Sequence, residues 1–89
     1  MNSELTEEFL EAFRSLPQRI QEKARKNYRL WKSNPSHPSL DFKRVHTRRP
    51  IYSVRIGTGW RALGILQDDS ILWYWFGSHN VYEKLLSQL

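Results

Sequence analysis

Arg55 and Arg61 flank Gly57-Thr58-Gly59, a segment whose glycines offer the positive φ that tight hairpins require. A three-residue loop sets Arg55 directly across from Arg61 on one face of a hairpin. A two-residue loop sets Arg61 opposite Ile56, on the other face, and the sequence leaves both registers open. On a shared face the two side chains start from Cβ atoms about 5 Å apart. Like charges directly opposite destabilise a sheet, and the arginine fork matches phosphate oxygens, so such a pair reads as an anion site. The plain alternative is a pair of arginines on a solvated face.

His79 follows Gly77-Ser78, where a long apolar run breaks. This puts an imidazole at the end of a strand, with a side-chain type that serves as general acid or base near neutral pH. Tyr82, three residues on, shares its face if the segment is helical. A histidine that merely opens the C-terminal helix is the competing reading. His46 lies on a strand close to Arg48 and Arg49, and His37 lies in a proline loop where exposure is expected. Three scattered histidines and no paired carboxylates give no metal-ligand spacing, so neither a metal nor a cofactor is expected. No glycine-rich phosphate loop and no Ser/His/Asp arrangement is present. There is no cysteine, hence no disulfide framework and no thiolate nucleophile.

The stretch Tyr52–His79 carries three of the four tryptophans and reads as an antiparallel meander. Its strands are expected at Ile51–Ile56, Trp60–Gln67 and Ile71–Phe76, with Asp68-Asp69 turning the second connection. The last run is continuously apolar, which points to a central or doubly covered strand. A preceding strand is expected over Asp41–Thr47, with Phe42, Arg44 and His46 on one face and Lys43, Val45 and Thr47 on the other. Arg48-Arg49-Pro50 then turns. Upstream, Leu5, Phe9, Leu10, Phe13 and Leu16 recur at helical spacing, with Ser3 or Thr6 able to cap the helix and glutamates near its positive end. No strand is expected ahead of that helix. Pro17 ends it and opens a second, over about Gln18–Lys32, whose buried side carries Ile20, Ala24, Tyr28 and Trp31. Two prolines within Asn34–Ser39 make a loop. Val81, Leu85, Leu86 and Leu89 mark the apolar side of a closing helix from His79.

At 89 residues the chain is read as one domain, residues 1–89. It carries a net charge of +5, unevenly spread. Thirteen of its fourteen Lys and Arg residues fall between Arg14 and Arg61, against only Glu22 and Asp41. Such a surface favours a polyanion or an acidic protein. No apolar run approaches the roughly 20 residues of a membrane span, and no signal peptide pattern opens the chain, so a cytoplasmic protein is expected. Helices segregated from strands give an α+β fold: an αα-hairpin on an antiparallel sheet of about four strands, with a short C-terminal helix.

The run Tyr52-Ser-Val-Arg-Ile-Gly-Thr-Gly-Trp-Arg61, the exit Phe76-Gly-Ser-His79-x-x-Tyr82 and the loop Asn34-Pro-Ser-His-Pro-Ser-Leu-Asp-Phe-Lys43 resemble the RelE/ParE toxin superfamily of bacterial toxin–antitoxin systems. The resemblance covers most of the chain. It implies a small toxin held by a cognate antitoxin. In the RelE-like branch it implies cleavage of mRNA in the ribosome, with the RNA's own 2′-hydroxyl attacking the adjacent phosphate. Carried over by position, Arg55 and Arg61 would neutralise the transition state, His79 would be the general acid or base, and Tyr82 would orient the phosphate or stack on a base. Ser53 stands where that branch often has a lysine, and His79 where it has an arginine. Lys43, Arg44, His46, Arg48 and Arg49 would bind the RNA. In the ParE-like branch the same scaffold inhibits DNA gyrase without a nuclease site; an inactive binding domain is the third reading.

Overall fold

A computed structural model describes residues 1–89 and shows three helices on a five-stranded mixed sheet. The strands are β1 (Asn2–Leu5), β2 (Lys43–Arg44), β3 (Ile51–Ile56), β4 (Trp60–Gln67) and β5 (Ser70–Ser78), in the spatial order β1-β5-β4-β3-β2. The helices are α1 (Glu7–Arg14), α2 (Gln18–Ser33) and α3 (His79–Gln88). None is long and apolar enough to cross a membrane.

The meander is where the sequence pattern puts it. β3 and β4 pair with Val54 opposite Ala62, Arg55 opposite Arg61 and Ile56 opposite Trp60, so the connection is the three-residue one. Gly57 supplies its positive φ of 63°. β5 lies between β1 and β4 and is covered on both faces. Its ladder with β4 shifts between Leu63, which faces Trp75, and Gly64, which faces Trp73. Tyr74 is therefore the extra residue of a bulge. The bulge sorts an all-apolar run: Ile71, Trp73 and Phe76 join the core under α1 and α2, while Tyr74 and Trp75 pack on the opposite side with Ile51, Leu63 and Tyr82.

Three expectations are corrected. A strand does precede the first helix: β1 pairs in parallel with β5, Leu5 opposite Trp73, and the Thr6 amide continues the ladder to the Trp73 carbonyl at 3.0 Å. Leu5 thus belongs to a strand, not to the helical stripe. The cap of α1 is Thr6, whose Oγ1 accepts from the Phe9 amide at 3.1 Å, with Glu7 and Glu8 in the first turn. The strand expected over Asp41–Thr47 shrinks to Lys43–Arg44, because Asp41 takes a left-handed φ of 46° and His46 folds the chain back. The His46 Nδ1 accepts from the amides of Arg48 and Arg49 at 3.1 and 2.9 Å.

α1 has only eight residues, too few to hold alone, and depends on its apolar face. Phe9 and Phe13 sit against Phe76, with ring centroids at 5.5 and 6.5 Å. In α2, Ile20, Ala24 and Trp31 are buried, and Trp31 meets Trp73 edge-on at 5.3 Å. Leu40, in a one-turn 3-10 helix (Pro38–Leu40), is fully buried and closes the core beyond α2.

The β4 backbone at Gly64 approaches the side chains of β5 closely. A Cβ there would stand 2.8 Å from both Ile71 Cγ1 and Trp73 Cε3. Gly64→Ala is expected to lower stability by about 1–3 kcal/mol, read as a lower urea midpoint at unchanged slope. An unchanged midpoint would mean that Ile71 and Trp73 yield freely.

Candidate catalytic site on the α3 face of the sheet

Val54, Ile56 and Ala62 are buried beneath α1 and α2, so strand alternation turns Ser53, Arg55, Arg61 and Leu63 to the α3 side. Arg55 and Arg61 thus share a face, directly opposite, each half-buried. Neither meets a carboxylate; the carboxylates in contact with basic side chains are Glu7 with Arg14, Asp41 with Lys43 and Glu83 with His79. Instead each guanidinium is held separately. Arg55 Nε donates to the Ser39 carbonyl at 3.2 Å, beyond the β2 edge. Arg61 Nη1 donates to the Trp60 carbonyl at 2.9 Å, and its Cζ lies 5.7 Å from the centre of the Tyr82 ring. A guanidinium has five N–H groups, so most of those on both side chains remain free for an anion. α2 braces the strand from behind, with Asn27 Nδ2 donating to the Arg55 carbonyl at 3.2 Å.

His79 opens α3. Ser78 caps the helix, its Oγ accepting from the Val81 amide at 3.3 Å. The His79 amide donates to the Gly59 carbonyl at 2.8 Å, which ties the helix start to the β3–β4 turn and so to the arginine pair. Its Nε2 faces Glu83 Oε1 at 3.4 Å, while Nδ1 is shielded from solvent and has no partner. The imidazole lies 6.0 Å from the Tyr82 ring. Tyr82 is only 4% exposed, and its hydroxyl donates to Ser53 Oγ at 3.0 Å, with Ser53 itself 1% exposed. Its hydroxyl therefore belongs to the core, and what it offers the surface is a ring face beneath Arg61.

Arg55, Arg61, His79 and Tyr82 are thus brought to one end of the α3 face. Lys43 joins them: it is opposite Ser53 on the neighbouring strand, with Nζ 3.2 Å from Asp41. Arg44, His46, Arg48 and Arg49 are not part of this group. Arg44 pairs opposite Tyr52 and its Nε donates to the His46 carbonyl at 2.9 Å. His46, Arg48 and Arg49 line a polar cleft with Leu89, at the far end of α3. Arg55 stands four residue steps along β3 from Ile51, roughly 13 Å at strand rise, and Arg48 and Arg49 lie beyond the Ile51 end of that strand. Nearby, burial raises the pKa of the Tyr74 hydroxyl, an effect that the Arg49 charge partly offsets. No cluster of side chains here could hold a metal ion.

Four contributors to this geometry are not read from the sequence. Glu83 had a signal, since it lies one helical turn beyond His79. The Ser39 carbonyl, the Ser53–Tyr82 hydrogen bond and the bulge at Tyr74 had none, because each depends on tertiary pairing.

The chain thus sets two N-terminal helices on one face of a mixed sheet and a third helix across the other, with basic residues at the margin of the second face. Among solved structures the chain resembles YafQ from E. coli strain BL21(DE3), with TM-score 0.72 and 13% identity over 91% of this chain and 96% of that one. It also resembles the archaeal RelE of the RelE–RelB complex from Pyrococcus horikoshii OT3 (TM-score 0.69, 15% identity, 86% and 92% covered). The isolated E. coli RelE toxin is similar too (TM-score 0.66, 15% identity, 98% and 96% covered). Comparison with curated proteins gave no match. The model of the ParE-like toxin domain matches residues 18–84, and the chain belongs to that family, within the RelE/ParE superfamily of toxin–antitoxin toxins.

Tyr82→Phe leaves the buried Ser53 hydroxyl without its donor. A loss of about 1–3 kcal/mol is expected, read by urea unfolding. Ser53→Ala in the same background is expected to cost far less than it does alone, because both ends of the hydrogen bond are then gone. Strict additivity of the two substitutions would show that the bond is not made in solution.

Proposed function

We propose that this chain cleaves mRNA on the ribosome, with the RNA supplying its own nucleophile. One observation carries the reading: Arg55 and Arg61 lie directly opposite on one face with no carboxylate partner, beside the helix that begins with His79. In the proposed step the 2′-oxygen of a nucleotide attacks the adjacent phosphorus and loses its proton. The bond from phosphorus to the 5′-oxygen breaks, leaving a 2′,3′-cyclic phosphate, and the departing oxygen takes up a proton. Arg55 and Arg61 neutralise the charge that builds on the phosphoryl oxygens, the kind of pre-placed electrostatic help that dominates such reactions. His79 exchanges the proton with the 5′- or the 2′-oxygen. Tyr82 holds Arg61 through its ring, a cation–π contact of about 0.5–1 kcal/mol at a partly exposed site. Lys43 adds charge at the β2 side. Arg44, His46, Arg48 and Arg49 bind neighbouring stretches of the same RNA. The reaction asks for no metal or cofactor.

The partner in this reading is a cognate antitoxin, as in the RelE–RelB complexes of Pyrococcus horikoshii and Methanococcus jannaschii. It covers the basic α3 face, and both proteins work in the cytoplasm. The family match to a ParE-like domain favours a second reading, in which the same surface binds and inhibits DNA gyrase without cleaving anything.

Expression without a partner, followed by primer extension on a known transcript, separates the two. The nuclease gives cuts inside translated codons. His79→Ala is expected to slow cleavage by about 10²–10⁴-fold and Arg61→Ala by about 10²–10³-fold, with both variants folded. Growth arrest with intact mRNA moves the assignment to gyrase, and full toxicity of both variants removes the catalytic roles. Antitoxin affinity is expected to fall as salt is raised, and to fall in Arg55→Ala; indifference to both would put the antitoxin elsewhere.

A further inference from the structure

The β3–β4 turn stands at the end of the sheet where the arginine pair lies, and α2 reaches it from the opposite face. Gly57 leaves the backbone bare there, and the Lys23 side chain lies across it. A Cβ at Gly57 would stand 2.8 Å from Lys23 Cδ and 3.5 Å from Nζ. The stem thus covers the glycine and leaves the ammonium at the tip, on an exposed residue. One helical turn on, Asn27 donates to the Arg55 carbonyl, which fixes this edge of α2 against β3. Arg19 and Lys26 follow the same edge on either side of Lys23, and both are exposed. None of the three touches a carboxylate.

An aromatic side chain stands on the same side of the tip. Trp60 opens β4 opposite Ile56, in the layer under α1 and α2, and meets Phe76 edge-on at 6.3 Å. It is half-buried, and its indole N–H makes no hydrogen bond within the fold. Unlike those of Trp31 and Trp73, that N–H reaches solvent. Unpaired cations beside an accessible indole suit single-stranded nucleic acid: the cations track phosphates, and a ring takes a base of any type. A single strand can also fold over the edge of a sheet, which a stiff duplex cannot.

We propose that the RNA strand held at the Arg55–Arg61 end crosses the β3–β4 tip and continues on α2, with Lys23 binding a phosphate beside the scissile one and Trp60 meeting a base. Arg19 and Lys26 carry the track further. The loop end of the α3 face takes the strand in one direction, and the tip takes it in the other. The inference rests on the proposed cleavage for the place of the cut and adds a second face to the path.

A single-stranded RNA with 2′-O-methyl groups throughout has no nucleophile, so its binding to the full ¹⁵N-labelled chain is read without cleavage. Lys23→Ala is expected to weaken binding and to reduce the slope of log affinity against log salt by about 0.7, the share of one phosphate contact on a single strand. Arg61→Ala is expected to do the same at the other end of the crossing. Lys32→Ala, nine residues further along α2, is expected to change neither. Added RNA is expected to move the Trp60 indole N–H signal and to leave those of Trp31 and Trp73 in place. A reduced slope in Arg61→Ala alone, or an unmoved Trp60 signal, would overturn the crossing and leave the cleavage site standing. An equal reduction in Lys32→Ala would overturn it as well, by making the contact one of general charge. A reduction in Lys23→Ala without one in Arg61→Ala would put the RNA on α2 only, against both the crossing and the cleavage site. No binding by the wild-type chain would overturn the path, while cuts inside translated codons would still show the cleavage.

Discussion

The register of the β3–β4 hairpin is the constraint on which the rest depends. A slip of one residue would exchange the faces of every side chain on one strand. In the observed register Val54, Ile56 and Ala62 enter the α1–α2 core together, and Arg55 and Arg61 leave it together. The apolar side sets the register, because each buried aliphatic side chain is worth about 1.5–3 kcal/mol, more than the repulsion of one cross-strand pair at about 1 kcal/mol or less. The core can thus impose an arrangement of charge that the arginines would not adopt by themselves. A pair held in this way has a standing preference for an anion between its members.

The second requirement is that α3 begin at the right place, and three interactions secure it. The Ser78 cap ends β5 and starts the helix, the His79 amide is bonded to Gly59, and Tyr82 reaches Ser53 through the core. These contacts use backbone and buried atoms and leave one edge of the imidazole and the upper side of Arg61 at the surface. Ser53 and Tyr82 illustrate the division of labour. A longer charged residue at position 53 would not fit at 1% exposure under α3. The charge on this part of the sheet instead stands one strand over, at Lys43, directly opposite Ser53.

The meander, the αα-hairpin and the closing helix were legible because their signals are local: a two-residue period, a helical period and turn glycines. β3 and β4 have their expected bounds, and the open register was decided by the length of a loop whose two ends, Ile56 and Trp60, both pack into the α1–α2 core. β1 was illegible for a physical reason. Four residues that pair in parallel with a distant strand have no alternation of their own, and Leu5 fits the spacing of the helix that follows equally well. The short β2 failed through the opposite error. Its residues alternate as a strand should, but Asp41 in a left-handed conformation and the His46 side chain, taking up two amides, cut the ladder at both ends. Of the site, residue types were legible and distances were not. Tyr82 keeps its helical relation to His79, yet nothing in that spacing says that its hydroxyl turns inward.

Polarity along α3 gives the face its two ends. The helix starts at the arginine pair and finishes at Leu89, which lines one cleft with His46, Arg48 and Arg49, so its negative end lies on the side of the second basic group. A cationic group near a helix C-terminus is favoured by the helix dipole, a neighbour that the first pair lacks. Arg55 and Arg61 have only neutral carbonyls and a ring face as neighbours. If a single strand of RNA runs along the face, the end without internal compensation is where a phosphate gains most from binding. In the proposed cleavage this asymmetry assigns the chemistry to the Arg55–Arg61 end and the grip on the RNA to the loop end.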